Sequence, residues 1–157
     1  KNRTVFGGGG IMPDFFVPLD TTGSSDYFSE LIRGGFLNTF SYEYTNNNRK
    51  KLLNKYPDFS DFNTSFDCGA IQDWDGDEPF MDSFFKYVEE QDSTLKYSEE
   101  DFKESGEFIK LRLKAFLARN LWDTSEFYQV YNSTNEILVR AIDILKSEEY
   151  NKIDLDN

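Results

Sequence analysis

A chain of 157 residues has the length of one folded domain. Its 29 acidic against 17 basic residues leave a net charge of −12, which repels phosphate backbones and anionic lipid headgroups and excludes nucleic acid as an expected partner. Histidine is absent and cysteine occurs once, at Cys68, which excludes an internal disulfide, the usual zinc sites and every Ser-His or Cys-His arrangement.

What remains for an enzyme is carboxylate-pair chemistry, a Ser-Lys or Thr-Lys arrangement, or a metal held by oxygen ligands. No apolar run reaches the roughly 20 residues of a membrane span, so this segment is expected to insert into no bilayer. Lys1–Gly10 hold no long apolar stretch of the signal-peptide kind, so the chain is expected to be cytoplasmic or to have lost a targeting segment. Sixteen Phe, nine Tyr and two Trp supply bulky packing material, so the chain is expected to fold despite its polar average.

In chain order, Arg3-Thr4-Val5-Phe6 reads as a short strand meeting four glycines, Gly7 to Gly10, and Phe15-Phe16-Val17 as a second strand stopped at Pro18. The two make a β-hairpin. From Ser24 or Ser25, which can cap a helix, Phe28, Leu31 and Ile32 share one face until Gly34-Gly35. Phe36, Leu37, Phe40 and Tyr44 continue at helical spacing, as do Leu52, Leu53 and Tyr56 up to Pro57. Residues 58–76 read as a loop pinned by Phe59, Phe62 and Phe66, or as a brief edge strand. Phe80, Phe84, Phe85 and Val88 mark the next helix. Ser98 opens a longer one bearing Phe102, Ile109, Leu113, Phe116 and Leu121, and a further helix is expected over Ser125–Glu149. The fold expected is mainly α, a short N-terminal β-hairpin followed by a bundle of about five helices. The expected segments are 1–20, a helical body over 21–150 and a frayed tail over 151–157.

Each motif with chemical potential has a plainer reading beside it. Gly7–Gly10 are not followed by the helix that a phosphate cradle needs, so a structural turn is favoured. Asp73-Trp74-Asp75-Gly76-Asp77-Glu78 gathers carboxylates suited to calcium, but its glycine comes fourth and Phe84 stands where the twelfth-position glutamate belongs, so a solvated loop is favoured. Lys103, Lys110 and Lys114 sit among acidic neighbours on an expected helix, where they read as solvated and protonated rather than as catalytic bases. No catalytic residue, cofactor site or metal site is assigned.

The run Arg3-Thr4-Val5-Phe6-Gly7-Gly8-Gly9-Gly10-Ile11-Met12-Pro13-Asp14, continued by Val17-Pro18-Leu19-Asp20-Thr21-Thr22, resembles the segment that closes the protease core in C-terminal processing (tail-specific) serine peptidases of the Bacteroidetes type. Ile109-Lys110-Leu111-Arg112-Leu113-Lys114-Ala115-Phe116-Leu117-Ala118-Arg119-Asn120-Leu121-Trp122 is similar to the helical extension of the same family. The resemblance implies a parent enzyme with a serine nucleophile, a lysine base and a PDZ-like domain, all upstream of the glycine run, so no residue here inherits a catalytic role. Arg3, Gly7, Gly8, Gly9, Gly10, Ile11, Pro13 and Asp14 are then structural motif residues. The implied partners are the remainder of the peptidase core and protein substrates, in the periplasm or cell envelope, with oligomers possible. The rival expectations are a stand-alone helical protein-binding module and a calcium-dependent acidic domain.

Overall fold

The structure, a computed structural model, describes residues 8, 15–18, 25–70 and 79–148. The chain divides into two compact units, one of residues 21–131 and one joining 1–20 with 132–157. Among the described residues the fold is mainly α, with seven α-helices and one 3-10 turn where about five helices were expected.

The larger unit opens with α1 (Asp26–Arg33), whose N-cap Ser25 accepts a hydrogen bond from the Phe28 N–H at 3.1 Å. Gly35 then turns the chain in the left-handed region (φ 71°), where an L side chain is strained, and α2 (Phe36–Lys55) follows at once. The buried pair on α1 is Tyr27 and Leu31, while Ile32 lies exposed. The expected Phe28–Leu31–Ile32 face is therefore rotated, because Tyr27 and Leu31, four residues apart, form the inner seam.

Residues 58–70 hold more order than their polar composition announces. Asp58 accepts from the Asp61 N–H and starts α3 (Phe59–Ser65), which corrects the expectation of a loop or edge strand. Phe59, Phe62 and Phe66 recur at helical spacing while Ser60, Asp61, Asn63 and Thr64 take the solvent side. Phe62 is fully buried and stacks on Phe66 with ring centroids 4.6 Å apart.

Helix α4 (Phe80–Gln91) and the long α5 (Glu99–Leu121) match their expected places. Phe80 and Phe84 of α4 meet Phe40 of α2 edge-on at 5.6 and 5.2 Å, pairs that each add about 0.5–1.5 kcal/mol beyond area burial. Helix α5 is the spine: Ile109, Leu113, Leu117 and Leu121 are buried along it, and it packs most extensively against α2 and α6 (Thr124–Tyr131).

The helix expected over Ser125–Glu149 is broken in two. After α6 comes a 3-10 turn, Asn132–Thr134, and then Asn135 accepts from the Leu138 N–H to cap α7 (Glu136–Lys146). Four consecutive short polar residues, Asn132 to Asn135, offer the backbone side-chain hydrogen bonds in place of a continuous helix. In this second unit the Arg140 guanidinium stands 5.8 Å from the centre of the Phe15 ring.

Of the expected hairpin, Arg3–Phe6 lies outside the described residues. Phe15–Val17 form no strand, since a strand without a neighbouring ladder gains no stabilising hydrogen bonds.

Candidate functional site

One recess in the larger unit that gathers several polar groups lies where the end of α2 meets α3 and the loop after it. Lys55, Tyr56, Asp61, Ser65, Asp67 and Ala70 line a solvent-open cleft of about 430 Å³. Tyr56 is its aromatic floor, buried and held edge-on against Phe62 at 5.6 Å and Phe66 at 5.8 Å. The Lys55 ammonium stands over the Tyr56 ring at 5.4 Å, so the cleft combines a cation, two carboxylates, a hydroxyl and an aromatic face.

Next to Asp67 is the single cysteine. Cys68 is buried and its thiol donates to the Lys110 carbonyl at 3.4 Å. Burial pushes the thiol pKa up to about 12, with the Lys114 cation opposing and the Asp67 carboxylate adding to the rise. A thiol so held is protonated at neutral pH, and the thiolate is the nucleophile, so Cys68 is a packed structural group rather than a reactive one.

The three lysines of α5 part company. Lys103 is exposed as expected. Lys110 pairs with Glu107 at 2.8 Å, and that hydrogen bond raises its pKa. Lys114 departs from the solvated reading: desolvation lowers its pKa, and its ammonium donates to the Asn63 carbonyl at 2.7 Å. That bond ties α5 to α3, so the partly desolvated Lys114 ammonium is engaged by a backbone carbonyl and not by a hydroxyl nucleophile.

A second polar device closes the far end of α5. Arg49 of α2 donates to the carbonyls of Asn120 and Leu121 at 2.8 and 3.0 Å, groups that a helix end leaves without intrahelical partners. Arg112 sits over the Tyr131 ring at 4.1 Å and donates to its hydroxyl at 2.9 Å, joining α5 to α6.

Of the motif residues expected from the sequence, Gly8 alone is described. Its φ of 93° is a glycine conformation, and a Cβ there would meet nothing within 4 Å. Gly8 is thus required for backbone shape and not for a close approach. Arg3, Gly7, Gly9, Gly10, Ile11, Pro13 and Asp14 lie outside the described residues, as does the acidic run Asp73–Glu78. Among the described residues no three His, Cys, Asp or Glu side chains gather as metal ligands, and no helix is long and apolar enough to cross a membrane. The cleft itself was missed in the sequence. The signal that locates it is the spacing of Phe59, Phe62 and Phe66, which builds α3 and so brings Asp61 and Ser65 toward Lys55.

No curated protein and no solved structure shows significant similarity to the chain. A family of unknown function, DUF8443, matches residues 27–123, the stretch from the first turn of α1 to just beyond α5. That match covers more than half of the chain, and the chain belongs to this family.

Proposed function

We propose that this chain is an accessory, structural region of a tail-specific serine endopeptidase, with the catalytic serine and lysine and a tail-binding PDZ-like domain upstream of it in the same polypeptide. The observation that carries the reading is the run Arg3–Asp14, whose strand, tetraglycine and Ile-Met-Pro-Asp sequence resembles the closing segment of such a protease core. The similar stretch Ile109–Trp122 lies on α5, where Ile109, Leu113, Leu117 and Leu121 are buried as a packing spine. That placement supports a scaffold role. The engagement of Cys68 and Lys114 by backbone carbonyls supports it too, since both groups stabilise helix contacts in place of chemistry.

In this reading the partners are the remainder of the peptidase core and its protein substrates, and the setting is the periplasm or cell envelope. The test is cleavage of an unstructured protein with an apolar C-terminal tail. A longer polypeptide that includes the serine and lysine is expected to cleave it, and residues 1–157 alone are expected not to. Cleavage by residues 1–157 alone would place the chemistry here and end the proposal.

A second reading, a stand-alone helical protein-binding module, is favoured by one observation: α7 leaves Ile137, Leu138, Ile142 and Leu145 exposed. A longer polypeptide that folds but cleaves nothing would favour it.

A further inference from the structure

The cleft beside α3 holds polar groups that the fold uses and others that it does not. Asp67 is used: one of its oxygens accepts the Gly69 N–H at 2.8 Å, and the ammonium groups of Lys110 and Lys114 on α5 lie close enough to act on its charge. The Lys55 ammonium is drawn over the Tyr56 ring. Asp61 and Ser65 are left over. They stand four residues apart on one face of α3, and among the described residues neither side chain has a hydrogen-bond or ion-pair partner.

Tyr56 supplies a third such group. The residue is only 3% exposed, with its ring packed on Phe62 and Phe66. Its hydroxyl makes no hydrogen bond among the described residues. It is nevertheless not one of the unpartnered atoms sealed in the described interior, which are Tyr27 Oη, Ser41 Oγ, Ser83 Oγ and Asn120 Nδ2. The hydroxyl is therefore the part of this buried side chain that reaches the cleft. A buried tyrosine ordinarily finds a partner for its hydroxyl, and here that partner must come from the cleft.

One carboxylate and two hydroxyls thus open on the cleft, a set of acceptors carrying one negative charge. A primary ammonium is its complement, since it carries three N–H donors, one positive charge and no acceptor. We infer that the cleft binds a primary alkylammonium group, with the Asp61 carboxylate as its ion-pair partner and the Ser65 and Tyr56 hydroxyls as further acceptors. The net charge of −12 draws cations toward the chain. A cleft of about 430 Å³ that is open to solvent admits the group on an alkyl chain, such as a lysine side chain or a small aliphatic amine. Lys55 opposes a second cation and the site is exposed, so the dissociation constant is expected at about 1–10 mM in low salt. Nothing in this binding depends on the peptidase reading.

Titration of residues 1–157 with n-butylammonium and with N-acetyl-lysine methylamide, followed by amide NMR shifts at about 0.02 M salt, tests this. Saturable shifts at Tyr56, Asp61 and Ser65 are expected with both probes. Tighter binding of the capped lysine assigns the site to polypeptide side chains, and tighter binding of n-butylammonium assigns it to small amines. Asp61→Asn is expected to weaken binding at least about fivefold, and Tyr56→Phe, which keeps the packed ring, about threefold. Glu104→Gln, an exposed acid elsewhere on α5, is expected to change it less than about 1.5-fold. Butyltrimethylammonium, which has the charge but no N–H donor, is expected to bind at least about fivefold more weakly than n-butylammonium. Lys55→Met is expected to tighten binding. Shifts that never saturate, equal effects of Asp61→Asn and Glu104→Gln, or equal binding of the trimethyl probe would overturn the proposal. So would weaker binding to Lys55→Met, which would mean an anionic ligand.

Discussion

At the scale of single residues the most informative group is Cys68, because its environment decides between reactivity and packing. Its thiol holds its proton to about pH 12 in the folded chain, against an ordinary value of 9.0. Below pH 9 both folded and unfolded chains are protonated and the contribution of this site to stability is complete. Between 9 and 12 the unfolded chain releases its proton and the folded chain does not, so stability falls by about 1.4 kcal/mol per pH unit from this site and the contribution is gone above 12. Urea unfolding from pH 8 to pH 10.5 is therefore expected to lose stability more steeply for the native sequence than for Cys68→Ala. Parallel curves would show that the thiol ionises freely. The same burial predicts that iodoacetamide labels Cys68 at pH 8 only after denaturant is added.

At the scale of elements, caps and cross-helix donors decide where helices begin and end. Ser98 accepts from the Asp101 N–H at 3.1 Å and starts α5, and Arg49 closes the opposite end through the Asn120 and Leu121 carbonyls. Ser98→Ala is expected to cost about 1 kcal/mol in urea unfolding. Arg49→Ala is expected to cost about 1–2 kcal/mol, and Arg49→Lys to recover part of it, because an ammonium keeps the charge but not the fork that reaches two carbonyls. Full recovery by lysine would mean that charge alone matters there.

Much of this order was legible in the sequence. Ser25, Gly34-Gly35, Pro57 and Ser98 punctuate α1, α2 and α5 where their chemistry says they should, and Phe80, Phe84 and Val88 give α4. Two elements were not legible for a common reason: short polar residues serve equally as solvent faces of helices and as breakers. In α3 they are the solvent face, and between α6 and α7 the run Asn132–Asn135 is the break. The cleft was hidden with α3. The Arg49 and Lys114 contacts join residues 71 and 51 positions apart, and no local pattern announces such a pairing.

At the scale of the whole molecule, the helices from α1 to α6 bury a core rich in aromatic rings around α5, and the polar groups with chemical potential are drawn into holding that core together. The smaller unit differs, with Ile137, Leu138, Val139, Ile142 and Leu145 of α7 exposed. In the proposed function residues 25–148 serve a peptidase whose chemistry lies elsewhere in its polypeptide. The direct measurement is to delete 25–148 from the longer polypeptide, verify by circular dichroism that the remainder folds, and assay cleavage of a short unstructured peptide. Cleavage is expected to persist, and a folded remainder that cleaves nothing while the undeleted polypeptide cleaves would contradict the proposed accessory role.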